Sequence, residues 1–144
     1  MLSGNPLGPA AADHLARALL QHATLTELEL WGCELLSAGA ARLAGLIAAS
    51  SALSSLNLAG NKIEDDAATV LAKAIANSAT IKVLDLTANA MTAVGVTDLM
   101  DAALVNTGLV SLTLEGNQVN RVVQKKMDAL MTQRKEAQQQ SSTA

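Results

Sequence analysis

The sequence predicts an α/β solenoid, with a curved parallel sheet along its concave side and helices along its convex side. The first observation is a repeat. LTELELWGCEL from Leu25, LSSLNLAGNKI from Leu53, IKVLDLTANAM from Ile81 and LVSLTLEGNQV from Leu109 align without a gap, each 28 residues after the last. The second is a change of apolar period inside every repeat, from two residues to three or four. The third is composition: among 144 residues 50% are hydrophobic, enough to build a core and too many for a disordered chain. One strand and one helix per unit, stacked in register, cannot bury an apolar face alone, so each repeat depends on its neighbours.

The elements follow in order. Residues 1–24 form a partial first repeat, in which Leu2, Asn5 and Leu7 fall on the expected positions and Pro9 suits a first helical turn. In the repeat from 25, Leu28 and Leu30 alternate as a strand. Ser37 is the expected N-cap of a helix carrying Leu43, Leu46 and Ile47. The repeat from 53 has Leu56 and Leu58, then the acidic run Glu64, Asp65 and Asp66. That run is expected to satisfy the free N–H groups of the helix it opens, with Leu71, Ala74 and Ile75 facing inward. Leu84 and Leu86, then Thr92 as N-cap with Leu99, Ala102 and Ala103, make the repeat from 81. Leu112 and Leu114, then Asn120 as N-cap with Met127, Leu130 and Met131, make the repeat from 109. Small residues at Ala40, Ala44, Ala68 and Ala72 let each helix approach the sheet and its neighbours. The repeat domain is read as residues 1–136. A further unit would need apolar residues where Ala137 and Gln140 stand, so residues 137–144 are expected to be a disordered tail.

The pattern LxxLxLxxN/CxL, with its period and its helix per repeat, resembles the ribonuclease-inhibitor-like class of leucine-rich repeats. That class includes ribonuclease inhibitor, the sensor segments of NOD-like receptors, Ran GTPase-activating protein and the related cap of tropomodulin. The motif covers roughly residues 2 to 134. It is specific for fold and weakly specific for function, because the class hosts many unrelated partners. The column Asn5, Asn61, Asn89 and Asn117 has a physical reason. The chain turns sharply as it leaves each strand, and a short amide can bond the backbone groups stranded in its own turn and the next. Cys33 occupies the same column, a substitution that the class pattern permits, and is read as a structural residue of that ladder rather than a nucleophile.

Chemistry finds little support. The two histidines have no metal-ligand spacing, and Gly32, Gly60 and Gly116 belong to the repeat turn rather than to a phosphate loop. The acidic run at 64–66 is read as structural and not as a calcium site. No catalytic set stands out, so the chain is expected to be no enzyme and to need no cofactor or metal. A net charge of −3 and one aromatic residue argue against nucleic acid as a partner. No apolar run reaches the length of a membrane span, and the lone cysteine cannot form an internal disulfide. A cytoplasmic location is the expectation.

The concave face carries the functional reading. Between the inward leucines the strands present Glu27, Glu29 and Trp31; Ser55, Asn57 and Ala59; Val83, Asp85 and Thr87; Ser111, Thr113 and Glu115. These rows hold four carboxylates and no basic residue, which favours a protein partner with a basic surface. Trp31 is the expected anchor, since tryptophan is enriched at binding hot spots. The candidate partner-binding residues are Glu27, Glu29, Trp31, Asn57, Asp85, Thr87, Thr113 and Glu115.

The ends differ in charge. Residues 1–120 hold 5 basic and 11 acidic side chains, whereas residues 121–144 hold 5 basic and 2 acidic. The first strand is expected to leave one edge uncovered. Either the chain is part of a longer array, or that edge pairs end to end with another chain. The leading functional expectation is a non-enzymatic scaffold binding a partner on its concave face. The alternatives are a GTPase-activating or other regulatory subunit, which the resemblance to the Ran relative implies, and a structural or cytoskeletal subunit.

Overall fold

The computed structural model describes residues 2–143. Among them nine elements alternate in chain order: α1 (Gly8–Leu20), β1 (Glu27–Glu29), α2 (Leu36–Ala49), β2 (Ser55–Asn57), α3 (Asp65–Asn77), β3 (Val83–Asp85), α4 (Ala93–Val105), β4 (Ser111–Thr113) and α5 (Arg121–Ser142). The strands form one parallel sheet in the order β1-β2-β3-β4. Leu28 pairs with Leu56, Leu56 with Leu84, and Leu84 with Leu112, so the sheet register is the repeat register. Neighbouring strands lie about 4.8 Å apart while packed helices need about 8–10 Å, so the stack curves with the strands inside.

Each repeat contributes to one continuous core. Leu30, Leu58, Leu86 and Leu114 just beyond the strands are fully buried, as are Leu43, Leu71 and Leu99 on the helices. Each such side chain contributes about 1.5–3 kcal/mol by leaving water. The small helical residues have the expected purpose: Ala40, Ala44, Ala68 and Ala72 are all buried. Gly95 goes further. A β-carbon there would stand 2.6 Å from Asp65 Oδ1 and 2.8 Å from Ala68 Cβ, so α3 and α4 meet too closely for any side chain at that position.

The helix starts correct two expectations. Thr92 and Asn120 do cap their own helices, through the N–H groups of Val94 and of Val122 and Val123. Ser37 does not cap α2, which begins with no side-chain cap. Its hydroxyl accepts from the Glu64 N–H one repeat later, at 3.0 Å. Asp65 likewise serves α4 rather than its own helix. Its carboxylate accepts from the N–H groups of Thr92 at 2.8 Å and Gly95 at 3.0 Å, and from the Thr92 hydroxyl. The starts of α3 and α4 thus receive hydrogen bonds from the preceding repeat, which satisfy groups that a helix leaves free at its N-terminus.

A second periodic set lies at the helix ends. Ser50, Ser78 and Asn106 are the C-cap residues of α2, α3 and α4. The Ser50 hydroxyl accepts from the Leu53 N–H at 2.9 Å, the Ser78 hydroxyl from that of Ile81 at 3.1 Å, and Asn106 Oδ1 from that of Gly108 at 2.9 Å. Arg134 stands next in this column, and its guanidinium donates to the carbonyls of Asn106 at 2.7 Å and Leu109 at 3.3 Å.

The segment read as a tail continues the last helix. α5 runs on to Ser142, nine residues past position 133, where the repeat would end a helix. The segment 137–142 has glutamines of good helix propensity, and the Ser141 and Ser142 hydroxyls donate back to the carbonyls of Gln138 and Gln139. Nothing apolar there supplies a strand, so helical continuation is the local outcome. Residue 144 lies outside the described residues.

Candidate functional site

The concave face is assembled by the sheet register. Glu27 pairs with Ser55, Ser55 with Val83 and Val83 with Ser111; Glu29 pairs with Asn57, Asn57 with Asp85 and Asp85 with Thr113. Trp31, Ala59, Thr87 and Glu115 follow each strand as a third row. None of these twelve side chains is buried in the core, and Glu27, Trp31, Val83 and Glu115 are the exposed ones. All four carboxylates therefore reach solvent on one surface. The exposed Lys62 and Lys82 stand in the connections after β2 and before β3, outside these rows.

Two of the candidate residues have a second task. Asn57 Oδ1 accepts from the Ala59 N–H at 3.0 Å and Asp85 Oδ1 from the Thr87 N–H at 2.9 Å. Each side chain closes the turn that follows its own strand. Asp85 uses only Oδ1 in this bond, and its second oxygen is left out of the turn. Thr87 and Thr113 are half-buried and carry no charge, so they add shape more than attraction.

Trp31 is 51% exposed and lies at the margin of the face, not at its centre. Its carbonyl accepts from the Gly4 N–H at 2.8 Å, and its Cη2 stands 3.9 Å from where a β-carbon of Gly4 would be. The ring edge thus rests against the first turn of the chain, and about half of the residue remains exposed to solvent.

Beneath the face runs the amide ladder. Asn61 Oδ1 accepts from the N–H groups of Cys33 at 3.0 Å and Leu35 at 3.2 Å, while its Nδ2 donates to the carbonyls of Leu30 and Leu58. Asn89 repeats this with Asn61 and Ile63, and with Leu58 and Leu86. Asn117 accepts from Met91 and donates to Leu86 and Leu114. The reach is into the preceding repeat, not the next as the sequence reading had it. Asn5 accordingly bonds only within its own turn, to the carbonyls of Leu2 and Ser3, and is exposed. Cys33 is fully buried, and its thiol donates to the Leu2 carbonyl at 3.3 Å, the bond that the asparagines make one repeat back.

One ionisable group is clearly perturbed. The Thr92 hydroxyl bonded to Asp65 holds that carboxyl below the usual carboxylate range. Partial burial pushes it up, and the N–H groups of Thr92 and Gly95 lower it further. Among the described residues no group of three His, Cys, Asp or Glu side chains is placed to hold a metal ion, and no helix is long and apolar enough to cross a membrane.

Residues 49–72 and 77–100 match the family model "Leucine Rich repeat", and each match spans a helix end, a strand and the asparagine turn or the helix start around it. These two segments are leucine-rich repeats, and the chain has the leucine-rich repeat solenoid fold. Two solved structures share its repeat architecture. Leiomodin-1 actin-binding site 2 is 15% identical, with a TM-score of 0.77, over 99% of this chain and 86% of that one. The tropomodulin C-terminal domain of Caenorhabditis elegans is 14% identical, with a TM-score of 0.73, over 93% of this chain and 97% of that one. At such identities the likeness is one of fold. Comparison with curated proteins by sequence gives no match. In leucine-rich repeat terms, the sites that repeat most strictly here, the leucine and asparagine columns, are structural. The concave rows vary from repeat to repeat.

Proposed function

We propose that this leucine-rich repeat protein is a non-enzymatic scaffold that binds a protein partner through its concave face. The supporting observation is the placing of Glu27, Glu29, Asp85 and Glu115 on one solvent-facing surface in strand register, with the half-exposed Trp31 at its margin. A basic partner surface is drawn to the carboxylates and oriented by them, which raises the rate of encounter. Trp31 then supplies the apolar contact that holds the complex. The partner class is a protein rather than a nucleic acid or membrane, because a negative face repels phosphate.

The test is capture of the partner from the native source by the wild-type chain, by Trp31→Ala, and by Glu29→Lys combined with Glu115→Lys. Glu29 and Glu115 are preferred to Asp85, whose carboxylate also closes a turn. Loss of capture in both variants, with unchanged melting, is the expected result; retention in both overturns the reading.

The likeness to leiomodin-1 actin-binding site 2 favours a second reading, in which this chain is a cytoskeletal subunit and actin is the partner. Co-sedimentation with actin filaments and titration of monomeric actin test it directly. Binding abolished by Trp31→Ala would unite the two readings. Binding indifferent to the concave variants would place the actin surface elsewhere.

A further inference from the structure

On the convex side, Val94, Leu104 and Val105 of α4 and Val122 of α5 are each more than half exposed. They stand in columns that face outward in the other repeats too. Ala38 and Asp66 share the column of Val94 and Val122, while Ala48 and Ala76 share that of Leu104. Those smaller or polar residues are exposed or half-exposed as well, so the exposure belongs to the columns and not to a repeat's place in the array. The two helices differ in charge. α4 carries Asp98 and Asp101 with no basic residue, and the first half of α5 carries Arg121, Lys125 and Lys126 against Asp128 alone. None of these groups is in an ion pair: among the described residues the pairs are those of Asp13 with Arg17 and Arg42. α5 also keeps the register of α4. Thr92 bridges Gln118 before the helices begin, and Arg134 reaches the Asn106 carbonyl where α4 has ended. Val94 therefore stands level with Val122, and Asp98 with Lys126, each one repeat apart.

We propose that this face binds a second copy of the chain about a two-fold axis parallel to the helices. Rotation about an axis set between α4 and α5 lays α4 of each copy over α5 of the other. Residues that stand level then meet. Val94 meets Val122 of the other copy and Asp98 meets Lys126 of the other copy, each contact being made twice because a two-fold interface is isologous. Leu104 and Val105 are covered by the middle of the opposite α5. The charges select both the arrangement and the occupant. A two-fold axis across the helices would lay α4 on α4 and α5 on α5, setting Asp98 beside Asp101 of the other copy and lysines beside lysines. A foreign segment of one charge would suit only one of the two helices, whereas the chain itself carries both signs at matching levels. α4 has 13 residues and is thus about 20 Å long, and two helices side by side are about 20 Å across. Each copy then offers about 400 Å² in projection, the size of a weak, reversible contact rather than a permanent one. The surface is on the opposite side of the solenoid from the strand rows, so the proposal is independent of concave-face recognition, and a dimer leaves both concave faces open.

Sedimentation equilibrium of the full chain tests the proposal. A monomer–dimer equilibrium that weakens with added salt is expected. Asp98→Lys alone and Lys126→Asp alone should each weaken association by about tenfold, since each turns both cross pairs from attraction to repulsion. An equimolar mixture of these two variants should recover association, because both cross pairs are then again opposite in charge. The double variant should recover it too. Asp98 also accepts from the Thr69 hydroxyl at 2.6 Å, and recovery in the mixture separates the loss of that bond from the loss of the interface. Glu115→Lys should associate as the wild-type chain does, even where it abolishes partner capture. A chain that stays monomeric at every concentration would overturn the proposal. So would single variants that associate as the wild type does, or a mixture that associates no better than either variant alone.

Discussion

Asn89 Oδ1 accepts the backbone N–H of Asn61 at 2.9 Å, joining two residues of the same column one repeat apart. The amide that satisfies one turn is itself positioned by the turn it belongs to, so each repeat is completed by the one after it. Strand register, and with it the concave face, rests on this relation.

Removing a central member should therefore cost far more than removing the first. Asn89→Ala strands the N–H groups of Asn61 and Ile63 in the interior and leaves the carbonyls of Leu58 and Leu86 with one amide donor each, from Asn61 and Asn117. A loss of about 3 kcal/mol is expected from urea unfolding. Asn5→Ala, at an exposed position with bonds only to its own turn, should change stability by less than about 0.5 kcal/mol.

Acid should loosen the junction of α3 and α4. Asp65 is held below the usual carboxylate range chiefly by the Thr92 hydroxyl, so its folded pKa is lower than its unfolded one. The sign follows: its contribution is complete above the unfolded value of about 4 and is lost as pH falls through the lower folded value. The unfolding midpoint of the wild-type chain should fall across that window. Asp65→Asn should be less stable at neutral pH and show a flatter acid limb, and parallel limbs for the two chains would contradict the assignment.

Ala88 is the exception in a column of glycines. Gly4, Gly32, Gly60 and Gly116 have φ between 62° and 77°, and Ala88 is held at 53°. The left-handed region costs a side-chain-bearing residue about 1–2 kcal/mol, partly offset because glycine loses more entropy on folding. Ala88→Gly should raise stability by about 0.5–1 kcal/mol in thermal unfolding. The reverse exchange, Gly116→Ala, should destabilise, since its β-carbon would stand 3.2 Å from Ala88 Cα.

What could be read from the sequence was whatever repeats in one column and acts within that column. Leu56 pairs with Leu84, and Asn61 bonds beside Leu58, because both belong to the strict 28-residue pattern. Interactions that cross columns were not legible. Ser37 looks like the cap of α2 because the local grammar of helix starts is all that a linear reading can apply, yet its hydroxyl serves Glu64 of the next repeat. Asp65 was misplaced for the same reason. The ladder's direction of reach depends on which way the backbone groups of each turn face, which spacing does not carry. Ser50, Ser78 and Asn106 recur at the repeat interval and were findable, but their varied chemistry hid a shared capping role. On the candidate face, the columns of the sequence coincide with the register of the sheet. They did not show that Asn57 and Asp85 also close turns, or that the Trp31 ring rests against Gly4.

Carboxylate footprinting of the captured complex tests the central claim most directly. Glu27, Glu29, Asp85 and Glu115 should lose reactivity together on binding, with Trp31 protected from oxidation, while Asp101 and Glu136 on the helices react as in the free chain. Protection of the helical carboxylates with the strand rows unchanged would show that recognition takes place on the other side of the solenoid.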